Sequence, residues 1–229
     1  MIWVNFKTYE EGMGERAVEL AQICEKVSRE SRVKIIICVQ AVDVLRIVSK
    51  VPIEVWVQHV DGVEFGKHTG HILPEGVMKA GAKGTILNHS ERKLPLETVK
   101  KTIERLKNLG GFKTLVCAST EKEALSLAKF KPDFLAYEPE ELIGSRKKSV
   151  ADVKFDVVKR IVEKIKDVPI VIGAGVHRKE DVVRGLDWGC RGFLLATDVV
   201  LAKNPEEELR NLASGYKDLG KGKFKSKRR

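Results

Sequence analysis

The chain has 229 residues, of which 43% are hydrophobic and 32% charged. That is enough to bury a full core in one large domain or two small ones. No apolar run approaches the ~18 residues of a membrane span. The opening Met1-Ile2-Trp3-Val4 reaches polar Asn5 at once, which argues against a signal peptide and for a cytoplasmic protein. The net charge of +10 is uneven, because seven basic residues and one acid fall between Lys217 and Arg229. The reading is therefore a folded unit over residues 1–216 and a basic, disordered tail over 217–229. Contact of that tail with RNA or another polyanion is the lesser alternative.

Apolar, β-branched runs recur along the chain: Ile2–Val4, Val33–Val39, Ile53–Val57, Gly84–Leu87, Thr114–Cys117, Phe134–Tyr137, Ile170–Ile172 and Gly192–Leu195. They are continuous rather than alternating, as in strands buried on both faces. Helical spacing lies between them. Ala17, Leu20, Ala21, Cys24 and Val27 share one face, as do Leu96, Val99, Ile103 and Leu106 before the stop at Gly110-Gly111. Val157, Val158, Ile161, Val162 and Ile165 mark a third helix, and Val182, Val183 and Leu186 a fourth that ends at Gly189. Shorter helices fit Val42–Ser49, Pro74–Ala80, Glu121–Phe130 and Pro205–Ala213. Eight strand–helix alternations predict an α/β fold, a single-domain (β/α)8 barrel with short helices. An open doubly wound sheet would want a glycine-rich turn after the first strand, and Asn5-Phe6-Lys7-Thr8-Tyr9 is not one.

The polar residues collect at strand ends. Asn5 and Lys7 follow the first strand two apart, which places both on one face. The fourth strand ends in Asn88-His89-Ser90-Glu91, where a short helical turn would keep His89 neutral and a hydrogen-bond donor. The sixth delivers Glu138, with Glu140 and Glu141 close behind. Small residues follow the last two strands, Gly173-Ala174-Gly175 and Ala196-Thr197, as in the phosphate cradle common to barrels. Cys24, Cys38, Cys117 and Cys190 lack C-x-x-C spacing and read as buried, reduced thiols. His68-Thr69-Gly70-His71 has no third ligand at metal spacing and reads as a loop.

Five motifs in order resemble the triose-phosphate isomerase family. They are Asn5-Phe6-Lys7, Asn88-His89-Ser90-Glu91, Tyr137-Glu138-Pro139 with Glu141-Leu142-Ile143-Gly144, Gly173-Ala174-Gly175, and Gly192-Phe193-Leu194-Leu195-Ala196. The Glu-Leu-Ile-Gly and Gly-Ala-Gly forms are similar to the archaeal type. The resemblance implies a TIM barrel that interconverts dihydroxyacetone phosphate and glyceraldehyde 3-phosphate without metal or cofactor. It implies Glu138 as the base, His89 as the electrophile, Lys7 as the electrostatic stabiliser and Asn5 as an orienting group, with Glu91 behind Lys7. Ile143, Gly144, Gly173, Gly175, Ala196 and Thr197 would bind the phosphate, under a lid from Pro139 to about Lys148. It further implies a homotetramer or homodimer, with the loop around His68-Thr69-Gly70 reaching into a neighbour.

Three departures stand out. The lid reads Gly144-Ser145-Arg146 with Lys147-Lys148 where the family has Gly-Thr-Gly. Glu140 stands where the archaeal lid has a second proline. Asp198 stands where a small residue is usual, and is expected to cap the following helix and face away from the phosphate. The competing function is a catalytically weakened barrel that binds RNA or another polyanion through its tail.

Overall fold

Eight short parallel strands pair in chain order and close the last onto the first. They are β1 (Ile2–Asn5), β2 (Ile35–Val39), β3 (Glu54–Val57), β4 (Gly84–Leu87), β5 (Lys113–Ala118), β6 (Phe134–Tyr137), β7 (Ile170–Ile172) and β8 (Gly192–Leu195). The computed structural model describes residues 1–139 and 155–218. The lid residues Glu140, Glu141, Ile143, Gly144, Ser145, Arg146, Lys147 and Lys148, and the tail from 219 onward, lie outside the described residues.

Helices α1 (Gly14–Ser31), α2 (Val44–Val48), α3 (Pro74–Lys79), α4 (Leu96–Leu109), α5 (Glu121–Ala128), α6 (Phe155–Lys164), α7 (Lys179–Asp187), α8 (Thr197–Val200) and α9 (Pro205–Ser214) follow in order. The period of two splits each strand between two cores. Trp3, Ile36, Cys38, Trp56, Ile86, Leu115, Cys117, Ala136, Val171 and Leu194 fill the barrel interior. Their neighbours Ile2, Val4, Ile35, Ile37, Val116 and Ile172 face the helices in the outer layer. Two indoles fit the interior because glycines oppose them. A Cβ on Gly84 would lie 2.6 Å from the Trp56 ring, and one on Gly192 would lie 2.8 Å from Trp3 Cζ3.

One expected strand start and one expected helix face differ for local reasons. β2 begins at Ile35 rather than Val33, because Ser28 Oγ donates to the Val33 carbonyl at 2.9 Å and Ser31 Oγ accepts the Val33 N–H at 3.2 Å. Those side-chain bonds take the backbone groups a ladder would use. Leu96 leaves the expected buried face of α4 and is 48% exposed, while Val99, Ile103 and Leu106 are buried. It stands at the first position after Pro95, where the chain has only begun to wind onto the core.

Candidate active site

The C-terminal strand ends bring together residues from β1, β3, β4 and β6. β1 stops at Asn5, so Lys7 is not placed by continued alternation. Lys7 adopts φ 51°, a left-handed conformation that a side chain rarely tolerates without support. Two side chains supply it. The Lys7 N–H donates to Asn5 Oδ1 at 3.0 Å, and Gln58 Nε2 donates to the Lys7 carbonyl at 2.7 Å. Lys7 Nζ then lies 2.6 Å from Glu91 Oε1. Gln58 was not singled out from the sequence; its one signal is that it follows β3 directly.

His89 sits before a single 3-10 turn, Ser90–Arg92. Its Nδ1 accepts the Glu91 N–H at 3.2 Å, nearer than the Glu91 carboxylate at 3.7 Å. An accepting Nδ1 carries no proton, so the ring is neutral and Nε2 is the donor. Nε2 lies 3.4 Å from Glu138 Oε1. Ahead of it, Asn88 is left-handed at φ 57°. Asn88 Nδ2 donates to the Cys117 carbonyl and to Glu123 Oε1, both at 2.8 Å, and its Oδ1 accepts the Leu94 N–H at 2.9 Å. Glu123 also accepts the Ser119 N–H at 2.7 Å and pairs with Lys93 at 3.0 Å. Burial works to raise the Glu123 pKa, but the bonds from Ser119, Lys93 and Asn88 outweigh it and hold the carboxyl below its usual range.

Glu138 continues the β6 ladder, donating its N–H to the Ala118 carbonyl at 2.8 Å. Its side chain is buried at 3% exposure. Among the described residues, Oε2 finds no hydrogen-bond partner. Burial raises its pKa, and His89, Cys117 and the Ser90 N–H only partly offset that. Burial first, then the adjacent Glu138 charge, pushes the Cys117 thiol well above the ordinary range. All four cysteines are free and buried. Gly173 makes room for Glu138, since a Cβ there would stand 2.4 Å from Glu138 Cγ. A cleft of about 400 Å³ opens beside these groups, with Asn5, Lys7, Gln58, His59, His89 and Glu91 on its walls.

Gly175 and the Ala196-Thr197 pair lie after β7 and β8, with Gly175 at φ 69°. Thr197 Oγ1 is 3.0 Å from the Tyr9 hydroxyl. Asp198 departs from expectation. It lies inside α8 rather than capping it, and its Oδ2 is 2.6 Å from His177 Nδ1. His68 and His71 stack edge-on at 5.7 Å. Among the described residues, no three His, Cys, Asp or Glu side chains gather as a metal site. No described helix is long and apolar enough to cross a membrane.

The family model described as triosephosphate isomerase matches residues 1–213. The chain belongs to the triosephosphate isomerase family. It is 43% identical to the triosephosphate isomerase of Methanocaldococcus jannaschii over 215 residues, covering 93% of this chain and 98% of that one. It is 40% identical to those of Methanothermus fervidus and Archaeoglobus fulgidus, with 93% of this chain and 96% of each relative covered. These relatives place it in the archaeal type. The crystal structure of triosephosphate isomerase from Bartonella henselae matches the fold with a TM-score of 0.70 at 20% identity, over 94% of this chain and 98% of that one. The chain is therefore an intramolecular aldose–ketose isomerase acting on a phosphorylated triose, the activity of glycolysis and gluconeogenesis. The relatives lend no support to the polyanion-binding alternative.

Proposed function

We propose that this rim performs triosephosphate isomerisation with the following division of labour. Glu138 takes the proton from one carbon and returns it to the other. The neutral His89 donates from Nε2 to the carbonyl oxygen and stabilises the enediolate. Lys7 neutralises developing charge and the phosphate, with Glu91 fixing its ammonium. Asn5 orients this arrangement through the Lys7 turn. The observation that carries the reading is the buried Oε2 of Glu138, without a hydrogen-bond partner among the described residues, set beside a histidine whose only ring proton is on Nε2.

Gly173 and Gly175, with Ala196 and Thr197, form the cradle for the phosphate, and Ile143 and Gly144 are its further contacts. The chain works as a homo-oligomer, a tetramer or a dimer, in the cytoplasm. Exposed Met13, Val42 and Leu45 support this association. Residues 1–216 form the catalytic unit.

The experiment is turnover of glyceraldehyde 3-phosphate in deuterium oxide, followed by proton NMR. Dihydroxyacetone phosphate should form and carry deuterium at the carbon that was protonated. Replacing Glu138 with Gln should slow both conversion and exchange by about 10²–10⁴ while the fold persists. Near wild-type turnover in that variant removes Glu138 from the role of base.

A further inference from the structure

A side-chain pair joins the two loops that follow β7 and β8. His177 Nδ1 lies 2.6 Å from Asp198 Oδ2. The carboxylate can only accept, so Nδ1 donates whether or not the ring carries charge. Both ends of the pair are anchored. The N–H groups of His177 and Arg178 donate to Asp181 Oδ2 at 3.0 and 3.2 Å, and Asp181 is fully buried. On the other side, the Val199 and Val200 N–H groups donate to the Ala196 carbonyl, and Thr197 meets Tyr9. The pair is only about a quarter exposed, at 21% for His177 and 26% for Asp198. A second acid faces it. Burial first, then the charge of Asp198, raises the pKa of Glu208 on α9, and His177 works against that rise.

We propose that His177 is a positioning residue for phosphate recognition: it draws the Asp198 carboxylate out of the cradle. The proposal rests on the reading above that Gly175, Ala196 and Thr197 hold the phosphate. Asp198 follows Ala196-Thr197 directly in the chain, so its side chain has two places to go. Turned toward the cradle, it repels a bound dianion across a short, partly desolvated distance. Held by His177, it leaves the backbone groups of the cradle free to meet phosphate oxygens. His177 acts through Asp198 and touches no reacting atom.

The test measures kcat and KM for glyceraldehyde 3-phosphate and the inhibition constant of inorganic phosphate. In His177→Ala, KM and the phosphate constant should rise about tenfold with kcat little changed. His177→Asn, whose amide nitrogen reaches near the position of Nδ1, should stay close to wild type. Adding Asp198→Asn to His177→Ala should restore phosphate inhibition, because the repelling charge is gone. Unchanged constants in His177→Ala overturn the proposal. A double variant as weak as the single one also overturns it, since the loss then reflects loop structure and not charge. Thr197→Glu separates the proposal from its premise by placing an acid in the cradle itself. Weakened inhibition there, with none in His177→Ala, keeps the cradle and rejects the clamp. No change in either variant rejects both.

Discussion

Glu138 is held where its own charge is disfavoured, and that has consequences for pH. Burial raises its pKa above the ordinary carboxylate value, and the base is active only when ionised. The acid limb of kcat/KM should therefore fall at higher pH than an exposed glutamate would give, and activity should be lost as pH drops through the raised value. For stability the sign is opposite. A carboxyl whose folded pKa is raised contributes stability below the ordinary carboxylate range, and that contribution is lost as pH climbs through the folded pKa. Glu138→Gln should thus melt at a higher temperature than wild type at neutral pH while kcat falls by about 10²–10⁴. Thermal melts at acid and neutral pH check this: the gap between the two proteins should widen toward neutrality. Gly173 belongs to the same argument. A methyl at 2.4 Å from Glu138 Cγ must push the carboxylate aside. Gly173→Ala should lower kcat by roughly 10²-fold, as expected for about 1 Å of misplacement, with KM much less affected. Steady-state kinetics with kcat intact would remove Gly173 from this role.

At the scale of elements, two of the rim's strand ends are followed by left-handed residues. Lys7 and Asn88 both leave the ladder at positive φ, and each is held by a side chain from elsewhere in the chain. For Asn88 that partner is Glu123, 35 residues away at the start of α5. Glu123→Ala should loosen the turn that aims His89, cutting kcat by about tenfold or more while leaving the barrel folded. Circular dichroism and steady-state kinetics together decide it, and a variant with full kcat would show that the turn holds without Glu123. These contacts also mark where the sequence stops being readable. The strands were legible because each is a continuous apolar run, and four of them, Gly84–Leu87, Phe134–Tyr137, Ile170–Ile172 and Gly192–Leu195, begin and end where the runs do. His89, Glu138, Asn5 and Lys7 were legible as polar residues at strand ends. Gln58 and Glu123 were not, because each acts on a backbone or side chain 35 to 51 residues away, which no local pattern records. Asp198 was legible as an oddity but not in its partner, since His177 lies 21 residues earlier on another loop. Gly84 and Gly192 read as strand starts, whereas their use is steric, giving room to Trp56 and Trp3. Gly84→Ala should cost about 1–3 kcal/mol, because the added methyl meets both the indole and the Lys113 carbonyl.

For the whole molecule, the question is what covers the apolar surface beside the cleft. Val42 is 81% exposed, Leu45 64% and Met13 46%, although each is a residue that burial favours. They are neighbours in space as well as in chemistry. The Gly14 N–H, one residue after Met13, donates to both oxygens of Asp43 at 3.3 Å, and Asp43 is itself buried between Val42 and α2. Val42 and Ala41 also line the cleft that holds Lys7 and His89. A partner seated on this patch therefore closes one wall of the cleft, so association and turnover should be coupled. Leu45→Glu combined with Val42→Glu places two charges where a partner's apolar atoms must pack, at a cost of several kcal/mol to association. The double variant should sediment at a smaller mass than wild type, with unchanged far-ultraviolet circular dichroism because neither side chain contributes to the core. Its specific activity should fall and should recover in part as protein concentration rises, which a purely local defect would not produce. A wild-type mass in the double variant would move the subunit contact to another face. A smaller mass with full activity would keep the contact here and separate it from catalysis.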